Sequence, residues 1–148
     1  MRDKRMLSMN VSSLFTNVPL MEIVEITERQ LDLEIPLCSL KELLLKCTMN
    51  VHFVFSNSYY RQVDGIGMGG SALGPILADF FLAKLENGKF KDIIREFDMY
   101  YRYVADTFIL ADGNVNIDEL LLKFNNVHPS LTFTCEKVRN INCIFWMS

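Results

Sequence analysis

The sequence predicts an α+β fold, an antiparallel sheet with helices packed on one face. Two observations lead there. Strand-like runs rich in aromatic and β-branched residues come in close pairs, "VHFVF" with "YYRQV" and "MYYRYV" with "TFILA". Between the pairs lie longer runs whose apolar residues recur at helical spacing. The resulting order is strand, two helices, hairpin, glycine loop, helix, hairpin, helix, strands, the mixed order of an α+β domain.

The elements follow from local chemistry. "MLSMNVSSLF" reads as a strand that leads to a turn at "TNVPL". In "LMEIVEITERQLDLEI", Leu20, Ile23, Ile26 and Leu31 mark one helix face, and Pro36 closes the helix. "SLKELLLKCTMN" opens with Ser39 and has Glu42 three residues on, a capping box that satisfies exposed amides. The next two strands form a hairpin around "SNS". After the glycine-rich run "DGIGMGGSALGP", "PILADFFLAKLENG" reads as a helix. Pro75 stands in its first turn, Ile76, Phe80 and Leu85 lie on its apolar face, and Asn87-Gly88 ends it. "KFKDIIREF" is a second short amphipathic piece. "MYYRYV" and "TFILA" flank a tip at Ala105-Asp106. "NIDELLLKFNNV" is a helix capped by Asn116, and "LTFTCEKV" and "CIFWM" are two closing strands.

The totals bound the class. A chain of 148 residues, half of them hydrophobic and 22% charged, suits one globular domain with a real core. No repeat, low-complexity tract or linker divides it. The most apolar stretch, "ALGPILADFFLAKL", is broken by Asp79 and Lys84 and carries Gly74 and Pro75, so no membrane span is expected. The N-terminus lacks an apolar signal core, so the expectation is an intracellular protein, nuclear or cytoplasmic, and not a secreted one. A net charge of -3 and a pI near 5.4 count against autonomous nucleic-acid binding. Lys84, Lys89, Lys91, Arg95 and Arg102 cluster, and a solvated helix face is the simpler account of them. Cys38, Cys47, Cys135 and Cys143 lack zinc-site spacing, and with only two histidines the expectation is reduced, mostly buried thiols.

Two motifs bear on chemistry. Gly65, Gly67 and Gly70 fit GxGxxG. A dinucleotide fold also needs a parallel strand after the helix, and here an antiparallel hairpin follows. A Walker loop needs a lysine that is missing. What the glycines do permit is close approach of another backbone or a base. The second motif is the hairpin tip with its carboxylate, Asp106. Phosphoryl-transfer sites hold two Mg²⁺ roughly 4 Å apart with carboxylates from different strands. Turn chemistry alone also explains an aspartate there. A partner from the first strand is required, and the sequence offers Asn10.

Together "NVSSLFTNVPL", "YRQVDGIGMGGSALGPILADFFLAKLE", "YRYVADTFIL" and "HPSLTFTCEK" resemble, in order and spacing, a reverse-transcriptase palm of the Penelope-like retroelement branch. The resemblance covers nearly the whole chain, read as a single partial domain over 1–148 without fingers, thumb or endonuclease. It implies a polymerase palm-like fold with a ferredoxin-like core. It also implies two-metal nucleotidyl transfer with Mg²⁺, dNTP substrates, an RNA template and a DNA primer. In the family an aspartate stands where this chain has Asn10, and the hairpin reads "YVDD", so Ala105 replaces a key ligand and only Asp106 remains. The expected metal ligands are Asp106 and, weakly, Asn10. Phe15, five residues after Asn10, matches an aromatic gate against the 2′-hydroxyl, and Tyr103 and Val104 lie beside the nucleotide. Gly65, Gly67, Met68, Gly69, Ser71, Gly74 and Pro75 are expected to face the template. The loop departs from the family's "MGSPLGP" by one extra glycine and by Ala72 in place of proline, and "CIFWMS" departs from its "PFLD". With two ligands replaced, the expectation is a catalytically inactive copy. The alternatives are a non-catalytic nucleic-acid-binding or protein-interaction module, or a decayed copy without function.

Overall fold

A computed structural model of the chain describes residues 3–30, 34–48, 51–67 and 73–137. Strand β1 (Lys4–Val11) leads into one helical turn, α1 (Leu14–Asn17). Helices α2 (Leu20–Gln30) and α3 (Leu37–Thr48) follow, then the hairpin β2 (His52–Phe55) and β3 (Ser58–Arg61). The long α4 (Leu73–Asn87) and the short α5 (Lys91–Arg95) precede β4 (Met99–Tyr103) and β5 (Asp106–Asp112). Helix α6 (Ile117–Asn125) and strand β6 (Phe133–Lys137) complete the order. The fold is α+β with an antiparallel four-stranded sheet. Among the described residues no helix is long and apolar enough to cross a membrane. The chain forms two compact units: the described residues within Met1–Ser12 and Leu85–Ser148, and Ser13–Lys84.

The first unit contains the sheet, in the order β4-β5-β1-β6. Period-two alternation decides its faces. Leu7, Met9 and Val11 of β1 and Thr107, Ile109 and Ala111 of β5 are buried. The register places Tyr100 and Arg102 of β4 and Phe133 of β6 on that same face. Helices cover it. Phe124 of α6 and Phe90 ahead of α5 pack on Phe133, with ring centroids 5.3 and 5.6 Å away. Helix α6 starts where the sequence places it, because the Asn116 side chain accepts from the Asp118 and Glu119 amides. The opposite face is open, and carries Asn10, Asp106, Phe108, Tyr101 and Tyr103.

Strand β1 ends earlier than the sequence reading has it. Ser13 adopts a left-handed φ of 50°, which turns the chain, and Leu14 and Phe15 enter a helical turn. The tip of the β4–β5 hairpin also moves. Its two loop residues are Val104 and Ala105, and Asp106 is the first residue of β5, paired with Tyr103.

The second unit is built on α2, α3 and most of α4. Ile23, Val24 and Ile26 of α2 and Leu40 and Leu44 of α3 are buried. Glu34 and Ile35 are not helical, and Leu31 lies outside the described residues. Ser39 does not cap α3. The Pro36 carbonyl accepts from the Ser39 and Leu40 amides, so Ser39 already lies inside the first turn. Cys38 and Cys47 are exposed and not buried, because the Leu40–Leu44–Thr48 stripe faces inward and they lie off it. Cys135 is half-buried, and Cys143 lies outside the described residues. Ile76 of α4 is likewise exposed, while Leu77, Phe81 and Leu82 are buried.

The β2–β3 hairpin is a separate two-stranded sheet. Its loop is Ser56-Asn57, both at positive φ, the requirement of a type I′ turn, so Ser58 joins the strand. All eight strand residues are exposed. The expected strand "CIFWM" lies outside the described residues.

Candidate functional site

The site in the first unit is made by register. Antiparallel pairing places Tyr103 opposite Asp106, Asp106 opposite Asn10, and Asn10 opposite Thr134. These four residues form a row across the sheet on its open face. Directly opposed residues in adjacent strands stand close enough for their side chains to meet. Here the Asn10 carboxamide donates to Asp106 Oδ1. The Val11 amide donates to the Ala105 carbonyl at 3.0 Å, which fixes the turn beside β1. Asn10, Ala105 and Asp106 are therefore brought together, as the sequence reading requires.

The turn is anchored from below. Val104 has a φ of 52°, in the left-handed region that disfavours a β-branched side chain. The Arg102 guanidinium donates to the Val104 carbonyl at 3.1 Å and also pairs with Glu86 in the last turn of α4. The Tyr100 hydroxyl donates to Glu86 at 3.0 Å. The Arg102 side chain is only 9% exposed and that of Glu86 20%. Burial, and then the Glu86 charge, push the Tyr100 phenol well above its usual range. Sequence reading missed this network and grouped Arg102 with a solvated basic face. Alternation along β4 signals that Tyr100 and Arg102 share a face, but nothing local joins them to Glu86, 14 and 16 residues away. The other members of the basic cluster, Lys84, Lys89, Lys91 and Arg95, are exposed as expected.

The remaining predicted positions that are described lie in the second unit, apart from Tyr103, which is exposed on β4, and Val104, which is half-buried in the turn. Phe15 is half-buried, and its carbonyl accepts from the Ile66 amide at 2.7 Å. Gly65 has a φ of 79°, and a Cβ there would collide with the Thr16 carbonyl. A Cβ on Gly74 would come 2.9 Å from the Gly67 carbonyl. The glycines thus let three backbone segments pack around Phe15. In its described part the loop is a packed element, with Gly65 and Ile66 buried. Pro75 is exposed, and Met68, Gly69 and Ser71 lie outside the described residues.

Chemically, the row offers one carboxylate, an amide whose N–H faces that carboxylate, the Tyr103 phenol and the Thr134 hydroxyl, and the turn beside it adds only the methyl group of Ala105. Among the described residues no three His, Cys, Asp or Glu side chains gather into a metal-binding group. No known protein-family model matches the chain, and no curated protein matches it.

Proposed function

We propose that this chain is a polymerase palm of reverse-transcriptase type that no longer catalyses nucleotidyl transfer. One observation carries the reading: the cross-strand pair of Asn10 and Asp106 beside the Val104–Ala105 turn. A two-metal polymerase needs carboxylates at neighbouring positions of adjacent strands. This fold provides such positions and fills them with an amide, a methyl group and a single carboxylate. The ancestral reaction would add a dNTP to a DNA primer on an RNA template, with Mg²⁺ to offset phosphate charge.

The residues present do not fit two Mg²⁺ ions. The ion wants hard, anionic oxygen. Asn10 carries no charge, and its N–H, not its oxygen, is turned to Asp106. Ala105 has no donor. Loss of metal stabilisation costs several kcal/mol, hence orders of magnitude in rate.

The test is primer extension on an RNA template with Mg²⁺ or Mn²⁺. The native chain is run beside the double variant Asn10→Asp/Ala105→Asp. The expected result is silence from the native chain and extension by the double variant, with Mg²⁺ raising the melting temperature of the variant alone. Extension by the native chain overturns the metal-ligand argument. Neither extension nor Mg²⁺ stabilisation in the double variant counts against a palm ancestry.

A further inference from the structure

The Val104–Ala105 turn has little in its own sequence to hold it. A two-residue hairpin loop takes glycine, asparagine or aspartate where φ is positive, and here that position is Val104, at φ 52°. The next residue, Ala105, brings no polar side chain. The turn nevertheless delivers Asp106 to its place opposite Asn10. A hold from outside the loop is needed.

The Arg102 guanidinium has the geometry for it. Nε and Nη2 form a fork on the Glu86 carboxylate, Nε to Oε1 and Nη2 to Oε2 at 3.3 Å. A guanidinium is planar, so a fork on one acceptor fixes the direction of the third nitrogen. That nitrogen, Nη1, donates to the Val104 carbonyl at 3.1 Å. The place of this carbonyl is therefore tied to Glu86. Glu86 is in turn tied to the core of the sheet unit, to which residues 85–87 at the end of α4 belong. Its neighbour Leu85 is buried, and the Leu85 carbonyl accepts from the Phe90 amide at 2.8 Å. The Phe90 ring packs on Phe124 and Phe133. Beyond the turn the contacts continue. The Ala105 carbonyl accepts from the Val11 amide, and the adjacent Asn10 carboxamide donates to Asp106.

We infer that Glu86 and Arg102 are positioning residues for the Asn10–Asp106 pair: their fork carries the placement of the core, through the Val104 carbonyl, to the functional row. The inference rests on that row being the site of the proposed palm. The family's ligands are replaced at Asn10 and Ala105, while the residues that aim the turn are intact. A lysine at 102 would not serve, because an ammonium is a point donor without a fork.

The test is amide hydrogen exchange followed by NMR on the full chain. The Val11 amide reads the turn, because its acceptor is the Ala105 carbonyl. Amides within α6 read unfolding of the same unit. Arg102→Lys keeps the charge and loses the fork. It should speed exchange at Val11 by about tenfold beyond any change in α6, the weight of one hydrogen bond to a charged group, and shift the Asn10 carboxamide signals. Glu86→Gln should act in the same direction. Tyr100→Phe, which removes one bond to Glu86 and leaves the fork, should change Val11 and α6 alike to within about twofold. Val104→Gly added to Arg102→Lys should restore slow exchange at Val11, since glycine adopts a positive φ unaided. Thermal unfolding checks each variant, and Glu86→Gln carries the test if Arg102→Lys does not fold. A purely structural role would raise the Val11 and α6 rates together, and that outcome overturns the inference. A Val11 rate that the fork variants leave unchanged overturns it too, as does a double variant in which Val104→Gly restores nothing. Primer extension has no part in this readout, so the positioning role and the palm ancestry can fail separately.

Discussion

Val104 holds a position that a two-residue hairpin loop normally gives to glycine. Its φ of 52° opposes a β-branched side chain, and the Arg102 bond to its carbonyl helps hold it there. Val104→Gly should relieve this strain and raise stability by about 1 kcal/mol, net of glycine's greater freedom in the unfolded chain. Urea unfolding measures it. A loss of stability instead would mean that the Val104 side chain contributes more than its backbone costs. The same residue explains a misplacement. Asp106 reads from sequence as a tip residue because Val104 reads as strand. Only the backbone conformation shows that the turn comes one residue earlier.

The hold between α4 and β4 belongs to the scale of elements. Glu86 receives both Tyr100 and Arg102. Glu86→Gln leaves a nearly buried guanidinium without its counter-charge. It should cost about 3 kcal/mol, read as a lower denaturation midpoint at unchanged slope. Tyr100 adds a pH dependence. Its folded pKa lies above the unfolded value of about 10. Above that value the unfolded state gives up a proton that the folded state keeps, so stability falls as pH rises through the unfolded pKa. Tyr100→Phe should make the decline between about pH 10 and 11 shallower than in the native chain. An identical decline would assign it to other groups.

At this scale much was legible in the sequence. Alternation in "MLSMNV" and "TFILA" gives both central strands and their faces. Asn116 marks the start of α6 because capping is local. Ser39 misleads for the same reason: its sequence context satisfies the capping pattern, but Pro36 starts the helix before it. Of the candidate site, Asn10, Ala105 and Asp106 were legible as a group. The anchoring Glu86 was not, because it meets Arg102 only through the return of the chain from α4 to β4.

For the molecule as a whole, a net charge of -3 combines with apolar side chains left in water, among them those of the β4 stripe and the β2–β3 hairpin. Neither place carries an acidic side chain within its strands. Tyr103 of the stripe stands opposite the Asp106 carboxylate. The hairpin is different. Phe53, Val54, Phe55, Tyr59 and Tyr60 are exposed on both of its faces, with Phe53 stacked on Tyr60 at 5.5 Å. A lone two-stranded hairpin is marginal in water, and among the described residues its outer edges have no neighbouring strand.

The consequence is colloidal. "FVFSNSYY" is a short, uncharged, β-prone run without proline, the composition from which cross-β stacks grow. Concentration, more than heat, should then set how long a solution of this chain stays clear. Val54→Lys places a charge on the hairpin and should lengthen the lag before thioflavin-positive aggregates form, with the melting temperature nearly unchanged. An unaltered lag would move the origin of aggregation elsewhere in the chain. Two positive φ angles at Ser56 and Asn57 thus fold the run into a hairpin and, in doing so, set a shelf life.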